Sequence, residues 1–473
     1  MQYSIINYSK LDSIVFRIDA EYYMPDLLRL EKKIRDGKSK NIRNLNGKLD
    51  CSAFYPSITE YYDFAGNGVP FLRVNEIVNG LVRLNQDTAF LPLKVLIDNP
   101  TTISHASPGD IVIAKGGNSL GKVGLVTNKY TDYAFCRDLI VLRTTEITEI
   151  NHYYLWVYLH SDIGQKLLLR TASQTGQPHL TLEAIYQLDI PIPNTLLQSQ
   201  FEILYKDAQE FSKQSEELYY EAEAILLSEL SLVNWQPKHT LSFVRNYSET
   251  EQAGRIDAEY FQPKYDEIAK AIKKYKGGWD ILGNVVNIKD KNHKPKDKQA
   301  YKYIELANIA GNGEVTDCML EEGQDLPSRA RRKVAAGDVI ISSIEGSLSS
   351  IALIEKEYDQ SLCSTGFYVV NSKSFNSATL LVLLKSIAGQ LQLKKGCSGT
   401  ILTAINSDEL KKLILPLIGE KAQTQIQQKI GESFDLRKQS KHLLECAKKA
   451  VELAIEKDEK TAMKWISEQT EIK

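Results

Sequence analysis

RIDAEYYMP at residues 17–25 recurs as RIDAEYFQP at residues 255–263, and seven of the nine positions are identical. Two matches of this length within one chain indicate an internal duplication. Further similar segments follow both copies in the same order, so the duplication extends well beyond nine residues. The sequence therefore predicts two copies of one structural unit.

Three more pairs of segments carry the repeat along the chain. The pairs are FLRVNEIVNG (71–80) with YIELANIAGN (303–312), GDIVIAKGGNSLGKVGLV (109–126) with GDVIISSIEGSLSSIALI (337–354), and YQLDIPIPNTLLQSQF (186–201) with KKLILPLIGEKAQTQI (411–426). The second pair aligns without a gap, and the third superposes Pro191 on Pro416 and Gln200 on Gln425. Each copy should therefore place its elements in the same order.

Each copy begins with a mixed part that contains short runs of β-branched and other apolar residues between turns rich in Gly and Asn. The runs are IVIA, VGLVT and LIVLR in the first copy, and VIIS, IALI and FYVV in the second. Such runs, bounded by turn residues, are typical of strands. Asp110 and Asp338 precede the first run of each copy, where an aspartate favours a turn.

A long helix is predicted after each mixed part, at about 196–230 and about 421–457. Apolar or small residues are spaced by alternating steps of four and three, which is the pattern of a coiled-coil seam. The seam comprises Leu197, Phe201, Leu204, Ala208, Phe211, Ser215, Leu218, Ala222 and Ile225, and then Leu436, Ser440, Leu443, Ala447, Ala450 and Ala454. We expect each helix to pair with the helix of the other copy; the alternative is packing on its own domain.

Bulk composition bounds the class of protein. A chain of 473 residues exceeds the size of one hydrophobic core, so two or three domains are expected. Its N-terminus lacks the pattern of a signal peptide and no apolar run is long enough to span a membrane, so a cytoplasmic location is expected. The net charge of -2 is unusual for a nucleic-acid binder. The six cysteines are scattered without metal-ligand spacing, which predicts no metal site.

GGNSLGKV at residues 116–123 is close to a phosphate-binding P-loop, but Val123 stands where Ser or Thr would hold magnesium. A P-loop also begins a helix, whereas VGLVT favours a strand. The second copy replaces Gly121 and Lys122 with Ser349 and Ser350. A nucleotide hydrolase therefore stays a minor alternative, and a tight lysine-bearing turn between two strands is preferred.

Two further catalytic interpretations are disfavoured by the repeat. Asp110 and Lys115 suggest a metal-dependent nuclease, but the second copy pairs Asp338 with Ser343. The chain also lacks the Pro-Pro-aromatic motif of adenine methyltransferases and a glycine-rich loop for a methyl donor. No catalytic residue and no cofactor is predicted.

The ordered set of motifs resembles one known family. Each copy has a GD(I/V) strand with a glycine-containing turn, then a polar segment (SQTGQPHLT from Ser173, CSGTILTAIN from Cys397), then IPIP or LPL and a glutamine-bearing helix. In that order, and repeated, these motifs resemble the specificity subunits of type I restriction-modification systems, over nearly the whole chain.

The resemblance implies an α+β fold with two tandem mixed α/β target-recognition domains, separated by long antiparallel coiled-coil helices in a pseudo-twofold internal repeat. The domains expected are target-recognition domain 1 at 1–195, a central spacer helix at 196–232, a linker at 233–250, target-recognition domain 2 at 251–418, a C-terminal spacer helix at 419–460 and a tail at 461–473.

The resemblance also implies a function. Each domain would read one half of a gapped double-stranded DNA target, and the chain would dock methyltransferase subunits, two of them, and possibly restriction subunits, without catalysis of its own. A non-catalytic coiled-coil scaffold, or a DNA-binding subunit of another defence complex, is the alternative. A neighbouring gene for an adenine methyltransferase would separate these hypotheses.

Polar and basic residues in turns are the predicted DNA contacts. The candidates are Arg73, Asn75, Lys115, Asn118, Lys122, Arg170 and Gln174 in the first domain, and Lys294, Lys296, Lys298, Asn308, Arg329, Arg331, Arg332 and Ser347 in the second. The runs KDKNHKPKDK from Lys289 and RARRK from Arg329 are the densest positive charge in the chain. A charge run is more often a solvated surface than a binding site, so each single residue is a modest candidate.

Overall fold

The structure is a computed structural model that describes residues 5–7, 19–53, 58–85, 87–173, 178–316, 318–398 and 403–470. These residues form two compact units. Unit 1 comprises residues 1–210 and 439–473, and unit 2 comprises residues 211–438. The division falls inside both long helices, so each unit holds a part of each. The domain boundaries expected from the sequence stay a prediction.

Fourteen α-helices are present in the described residues. They are α1 Pro25–Asp36, α2 Leu93–Asp98, α3 His152–His160, α4 Asp162–Arg170, α5 Leu182–Tyr186, α6 Thr195–Glu229, α7 Tyr247–Ala253, α8 Pro263–Lys273, α9 Leu282–Val285, α10 Ser377–Lys385, α11 Ile387–Gly396, α12 Ser407–Lys411, α13 Glu420–Glu456 and α14 Glu459–Thr470. No helix among the described residues combines the length and apolar character that crossing a bilayer requires.

Unit 1 contains three sheets. Their strand orders are β1-β12, β6-β3-β10-β7 and β2-β11-β8-β9-β5-β4. The strands are β1 Ser39–Asn41, β2 Lys48–Asp50, β3 Val69–Leu72, β4 Ile77–Val78, β5 Leu81–Val82, β6 Phe90–Leu91, β7 His105–Ala106, β8 Ile111–Ala114, β9 Val123–Leu125, β10 Tyr133–Phe135, β11 Leu139–Arg143 and β12 Asp189–Pro191.

Unit 2 contains four sheets, with strand orders β13-β24, β14-β21-β18-β19, β16-β15-β20-β17 and β22-β23. The strands are β13 Trp279–Ile281, β14 Val286–Lys289, β15 Ala300–Ile304, β16 Met319–Glu322, β17 Ala330–Lys333, β18 Val339–Ser342, β19 Ile351–Leu353, β20 Leu362–Ser364, β21 Phe367–Ser372, β22 Cys397–Ser398, β23 Ala404–Ile405 and β24 Ile414–Pro416.

The two units share one topology, which confirms the predicted repeat. The order β2-β11-β8-β9 of unit 1 reappears as β14-β21-β18-β19, and β6-β3-β10-β7 reappears as β16-β15-β20-β17. In both of the latter sheets the central pair is parallel and its flanking pairs are antiparallel. The six strands predicted from apolar runs are all present, and the fold class is the mixed α+β arrangement expected.

The strand that begins after Asp110 or Asp338 lies at the centre of each unit. All four residues of β8 are buried, as are all four of β18, because both faces are covered. Asp110 and Asp338 are themselves buried and make the predicted turns, since Oδ2 of each accepts a backbone N–H, from Ser107 and from Ala335, at 2.9 Å. Burial raises the pKa of Asp110.

A matched hydrogen-bonded clasp joins the start of a short helix to the start of a long one in each unit. Asn151, the N-cap of α3, accepts from Tyr154 N–H at 2.8 Å, and Gln198 Oε1 accepts from Asn151 N–H at 2.9 Å. Asn376, the N-cap of α10, makes the same contact with Gln423 Oε1 at 2.8 Å. In both clasps the asparagine Nδ2 donates to the glutamine carbonyl at 3.0 Å. The repeat therefore extends to individual hydrogen bonds.

Both long helices lie within one residue of their predicted limits. Six of the nine predicted seam positions of α6 are buried, but Phe211, Leu218 and Ile225 are only partly buried. The next residues along the helix, Ser212, Tyr219 and Leu226, are buried instead. An α-helix has 3.6 residues per turn, so the buried stripe drifts away from a strict 3.5-residue repeat.

The two long helices contact each other within each unit. In unit 1, Ser440 Oγ donates to the Ala208 carbonyl at 2.7 Å. In unit 2, the hydroxyl oxygens of Ser215 and Ser433 are 3.0 Å apart, and Lys429 Nζ is 2.6 Å from Glu221. Glu221 lies after Ser215 along α6, whereas its partner Lys429 lies before Ser433 along α13. The two helices are therefore antiparallel. The predicted pairing of the two long helices is therefore observed. The alternative, packing on the unit's own domain, is observed as well, because Ala222 and Leu226 belong to the hydrophobic core of unit 2.

Candidate DNA interface

The turn between β8 and β9 in unit 1 holds three predicted contact residues. Lys115 follows β8, Asn118 lies in a single 3-10 turn at Gly117–Ser119, and Lys122 precedes β9. β8 and β9 are antiparallel neighbours, so the segment is a tight turn between strands, as predicted, and not the start of a helix. Asn118 and Lys122 are exposed. Neither lysine side chain forms an ion pair with any described residue.

The equivalent turn in unit 2 carries no cation. Ser347 lies in the 3-10 turn Glu345–Ser347, where its hydroxyl is 2.8 Å from that of Ser342 and donates to the Ile344 carbonyl at 3.3 Å. Ser343 Oγ donates to the Gly366 carbonyl at 2.9 Å. The serines of this turn therefore stabilise the turn itself.

Arg73 and Asn75 lie beside β3, and their side chains differ in role. Arg73 Nη2 donates to Glu76 Oε1 at 3.0 Å and to the Asp87 carbonyl at 2.6 Å. Glu76 is almost fully buried, so Arg73 neutralises a buried carboxylate. Asn75 is exposed and lines a shallow cavity with Arg73, Tyr62 and others. Asn75 is thus better placed for an external ligand than Arg73.

Arg170 lies at the end of α4 and is turned into the protein. Its side chain is 5% exposed. Nε donates to the Tyr22 carbonyl at 2.6 Å, Nη1 is 3.1 Å from Glu31, and the guanidinium lies 4.1 Å from the centre of the Tyr22 ring. These contacts hold the repeated segment that contains Tyr22. DNA contact by Arg170 stays a prediction, and its burial and its ion pair with Glu31 do not favour that contact.

Asn308 is likewise used internally. Its Oδ1 accepts from Glu305 N–H at 2.8 Å, and its carbonyl accepts from both N–H and Oγ of Thr316. Asn308 occupies the place that Glu76 has in unit 1, at the end of a 3-10 turn after the parallel strand. Gln174 lies outside the described residues.

Lys294, Lys296 and Lys298 belong to the loop 290–299, which connects β14 to β15. The loop contacts β17 at one end, where Asn292 pairs with Arg332 and His293 N–H donates to the Arg331 carbonyl at 2.7 Å. At its other end, Gln324 N–H donates to the Asp297 carbonyl at 3.1 Å. The structure thus brings together two basic runs that are separated in sequence. All three lysines are exposed.

The second basic run forms β17, an edge strand of its sheet, and the residue before it. Arg329, Arg331 and Lys333 are exposed, and Arg331 Nε donates to the Ser328 carbonyl at 2.7 Å. Arg332 is different, because its Nε and Nη1 are buried without a hydrogen-bond partner in the described residues. Three of the four cations in this strand region can therefore meet solvent or a ligand.

Six of the exposed cations of loop 290–299 and of residues 329–333 are called here the basic edge: Lys294, Lys296, Lys298, Arg329, Arg331 and Lys333. Acidic residues Glu321, Glu322 and Asp325 lie on and after β16, at the opposite edge of the sheet. The positive charge is therefore strongest towards β17. Lys333 belongs to this set although it was not among the residues chosen from sequence; its presence in the run RARRK was the available signal.

The described residues contain no cluster of His, Cys, Asp or Glu side chains that could hold a metal ion. The cavity beside Asn75 is lined by Tyr62, Arg73, Val74, Cys136, Arg137 and Asp138. Burial raises the pKa of the Cys136 thiol to about 11, so this cysteine is a poor nucleophile at neutral pH.

Comparison with known proteins gives one family and several solved structures. Residues 56–206 match the model of the type I restriction modification DNA specificity domain. The type I restriction-modification system S subunit from M. genitalium is 12% identical, with 92% of this chain and 94% of that chain covered and a TM-score of 0.35. The HsdS subunit from Thermoanaerobacter tengcongensis is 15% identical, with 87% and 97% covered and a TM-score of 0.27. No curated protein gives a significant match.

Proposed function

We propose, from the match of residues 56–206 to the type I restriction modification DNA specificity domain, that this chain is the sequence-reading subunit of a DNA-modifying complex. Each repeat copy would read one half of a gapped duplex target. The observation that carries the proposal is the basic edge, in which two separate runs of sequence, joined where Asn292 pairs with Arg332, present six exposed cations.

Cations arranged in this way suit a polyanion. Much of the affinity of proteins for duplex DNA comes from lysine and arginine side chains at phosphates, while base edges are read by side chains in the grooves. The basic edge and the Lys115–Lys122 turn are candidates for phosphate contacts. Asn75 and Asn118, which are exposed amides, are candidates for base contacts, since asparagine can bind adenine through two hydrogen bonds.

The chain is proposed to be non-catalytic and to act with methyltransferase subunits, two of them in the simplest arrangement, and with restriction subunits where a system has them. Transfer of a methyl group would then require a second protein. No cofactor is proposed for this chain.

Reconstitution tests this division of labour. The purified chain with duplex DNA and a methyl donor should transfer no methyl group, and transfer should appear when a methyltransferase subunit from the same host is added. Long-read mapping of modified bases in the host genome should then show a gapped, asymmetric target. Methyl transfer by the chain alone, or a methyltransferase that modifies the same sites without it, would refute the proposal.

The two long helices are proposed to set the gap between half-sites. Seven residues inserted into both helices, beside Ser215 and beside Ser433, keep the heptad phase and lengthen each helix by about 10 Å. At about 3.4 Å per base pair, the gap should lengthen by about three base pairs while both half-site sequences stay the same. A folded variant that keeps the original gap would show that the helices do not measure it.

A further inference from the structure

The two units carry structurally equivalent loops at the basic edge and at its counterpart. Loop 290–299 connects β14 to β15, and residues 51–68 connect β2 to β3, which are the equivalent strands of unit 1. Each loop also contacts the segment that contains the next strand of its sheet. In unit 1, Asp63 pairs with Phe90 of β6. In unit 2, Gln324, just after β16, donates to Asp297.

These equivalent loops differ in chemistry. Residues 290–299 include four lysines and two aspartates, whereas residues 51–68 include no lysine or arginine and two acids, Glu60 and Asp63. Asp63 serves its own loop by accepting from the N–H groups of Ala65 and Asn67. Two large apolar side chains of unit 1 are exposed in this loop and on α2: Phe64 is 58% exposed, and Ile97 of α2 is 73% exposed.

Two lysines of unit 1 lie in the turn between β8 and β9. Lys115 and Lys122 occupy this turn, where unit 2 has Ser343 and Ser350. The loop from β14 to β15 and the loop from β2 to β3 therefore differ in their cations, four lysines against none, and the turn between β8 and β9 differs in the other direction, two lysines against none in its unit 2 counterpart.

Each phosphate neutralised by a side chain releases about one counterion, so the slope of log affinity against log salt grows with the number of contacts. We infer that the two units divide DNA binding unequally: the basic edge of unit 2 supplies most of the salt-dependent contacts to phosphates, and unit 1 binds its half-site with little dependence on salt. This inference rests on the proposed function, because it takes DNA as the ligand. Beyond the proposed function, the inference states that unit 2 is the copy that anchors the complex to the DNA backbone.

The test uses the full chain and duplex DNA, with affinity measured by fluorescence anisotropy over a series of salt concentrations. A basic-edge variant replaces Lys294, Lys296, Lys298, Arg329, Arg331 and Lys333 with Gln. A turn variant carries Lys115→Gln and Lys122→Gln. Arg332 is left intact, because its buried nitrogens make a folding defect a competing explanation.

A matched control replaces Lys457, Lys460 and Lys464, three exposed lysines at the end of α13 and on α14, with Gln. It should be compared with the triple variant K294Q, K296Q and K298Q, which removes the same charge. Circular dichroism and thermal unfolding of every variant establish that it is folded.

We expect the six-residue variant to lower the slope by about five and the turn variant by about two at most. The affinity lost on a fourfold rise in salt should shrink by about threefold to fourfold for each contact removed. A turn variant that flattens the slope as much as the six-residue variant would overturn the inference while leaving DNA binding intact. A wild-type chain that binds no DNA, alone or with its methyltransferase, would overturn the proposed function as well.

Discussion

The two repeat copies agree in their buried framework and differ in the loops that this framework presents. The Asn151–Gln198 clasp of unit 1 and the Asn376–Gln423 clasp of unit 2 match bond for bond. The loop from β2 to β3 and the loop from β14 to β15 have opposite charge in the same place. A duplicated fold can therefore keep its core while each copy acquires its own surface.

The physical reason lies in what a substitution costs at each place. A buried amide that loses its partners leaves polar atoms without hydrogen bonds, which is costly. An exposed loop side chain exchanges one solvated group for another at little cost. Substitutions in the clasps are therefore opposed by the loss of stability that they cause. Substitutions in the loops can change function at little cost in stability. Three predictions test this contrast, from the largest expected effect to the smallest.

Breaking a clasp should destabilise either unit by a similar amount. Asn376→Ala removes the helix cap and the Nδ2 donor to the Gln423 carbonyl, while the backbone N–H that bonds Gln423 Oε1 remains, and Asn151→Ala does the same to Gln198. We expect each to lower the free energy of unfolding by about 2–4 kcal/mol. Urea denaturation followed by circular dichroism measures this. Gln425→Ala, an exposed residue two positions from the unit 2 clasp, is the control and should have little effect. A large difference between the two clasps would contradict a shared framework.

Disturbing one glycine in each unit should separate stability from DNA binding. A Cβ at Gly323 would overlap the Lys296 carbonyl and push loop 290–299 outward, while a Cβ at Gly68, whose φ is +111°, would overlap the Leu91 carbonyl. Each alanine variant should lose about 1–3 kcal/mol. Only Gly323→Ala should also flatten the salt dependence of DNA binding. Gly311→Ala is the control, since nothing lies within 4 Å of the added carbon. An equal flattening by Gly68→Ala would contradict the contrast between the loops.

One pair of equivalent residues should make the stability of the two units respond differently to a fall in pH. His160 and Lys385 each end their helix, α3 and α10. Burial lowers the pKa of His160 to about 4, with Lys448 adding to the effect, and burial lowers the pKa of Lys385 to about 8. His160 is neutral in the folded protein. Its contribution to the free energy of unfolding is therefore complete above the pKa of histidine in the unfolded chain, about 6.5, and is lost as the pH falls towards 4.

His160→Gln should therefore remove about 1–2 kcal/mol of the stability difference between pH 7 and pH 5. Unfolding free energies measured at both pH values test this. Lys385→Gln should leave that difference unchanged, because Lys385 is charged in both folded and unfolded states over this range. Equal acid sensitivity of the wild type and His160→Gln would show that His160 is not the group responsible.

Much of the fold was predictable from local patterns. The runs IVIA and VIIS were expected as strands, and they form β8 and β18 at the centres of their units. The heptad spacing predicted the long helices to within one residue at each end. Period and turn chemistry are properties of neighbouring residues, so the sequence carries them directly. The resemblance to the specificity family, made from the order of motifs, agrees with the family model that residues 56–206 match.

The candidate site was less predictable, because charge in the sequence does not state where a side chain points. Arg170 and Arg331 are both arginines near turns, yet Arg170 is buried against Glu31 while Arg331 is exposed on an edge strand. The basic residues that remain available could be identified only after their internal partners were known. DNA contact by any of them stays a prediction.

The sequence alone predicted that there are two copies, where six of their strands and both long helices lie, and which family they resemble, since repeats, period and motif order need no third dimension. Only the tertiary structure decided that loop 290–299 lies against β17, and so joins two runs of cations into one surface. The pairing of Asn292 with Arg332 depends on sheet topology, which arises from contacts between residues that are distant in sequence. The loop from β2 to β3 in unit 1 connects the equivalent strands but contains no lysine or arginine.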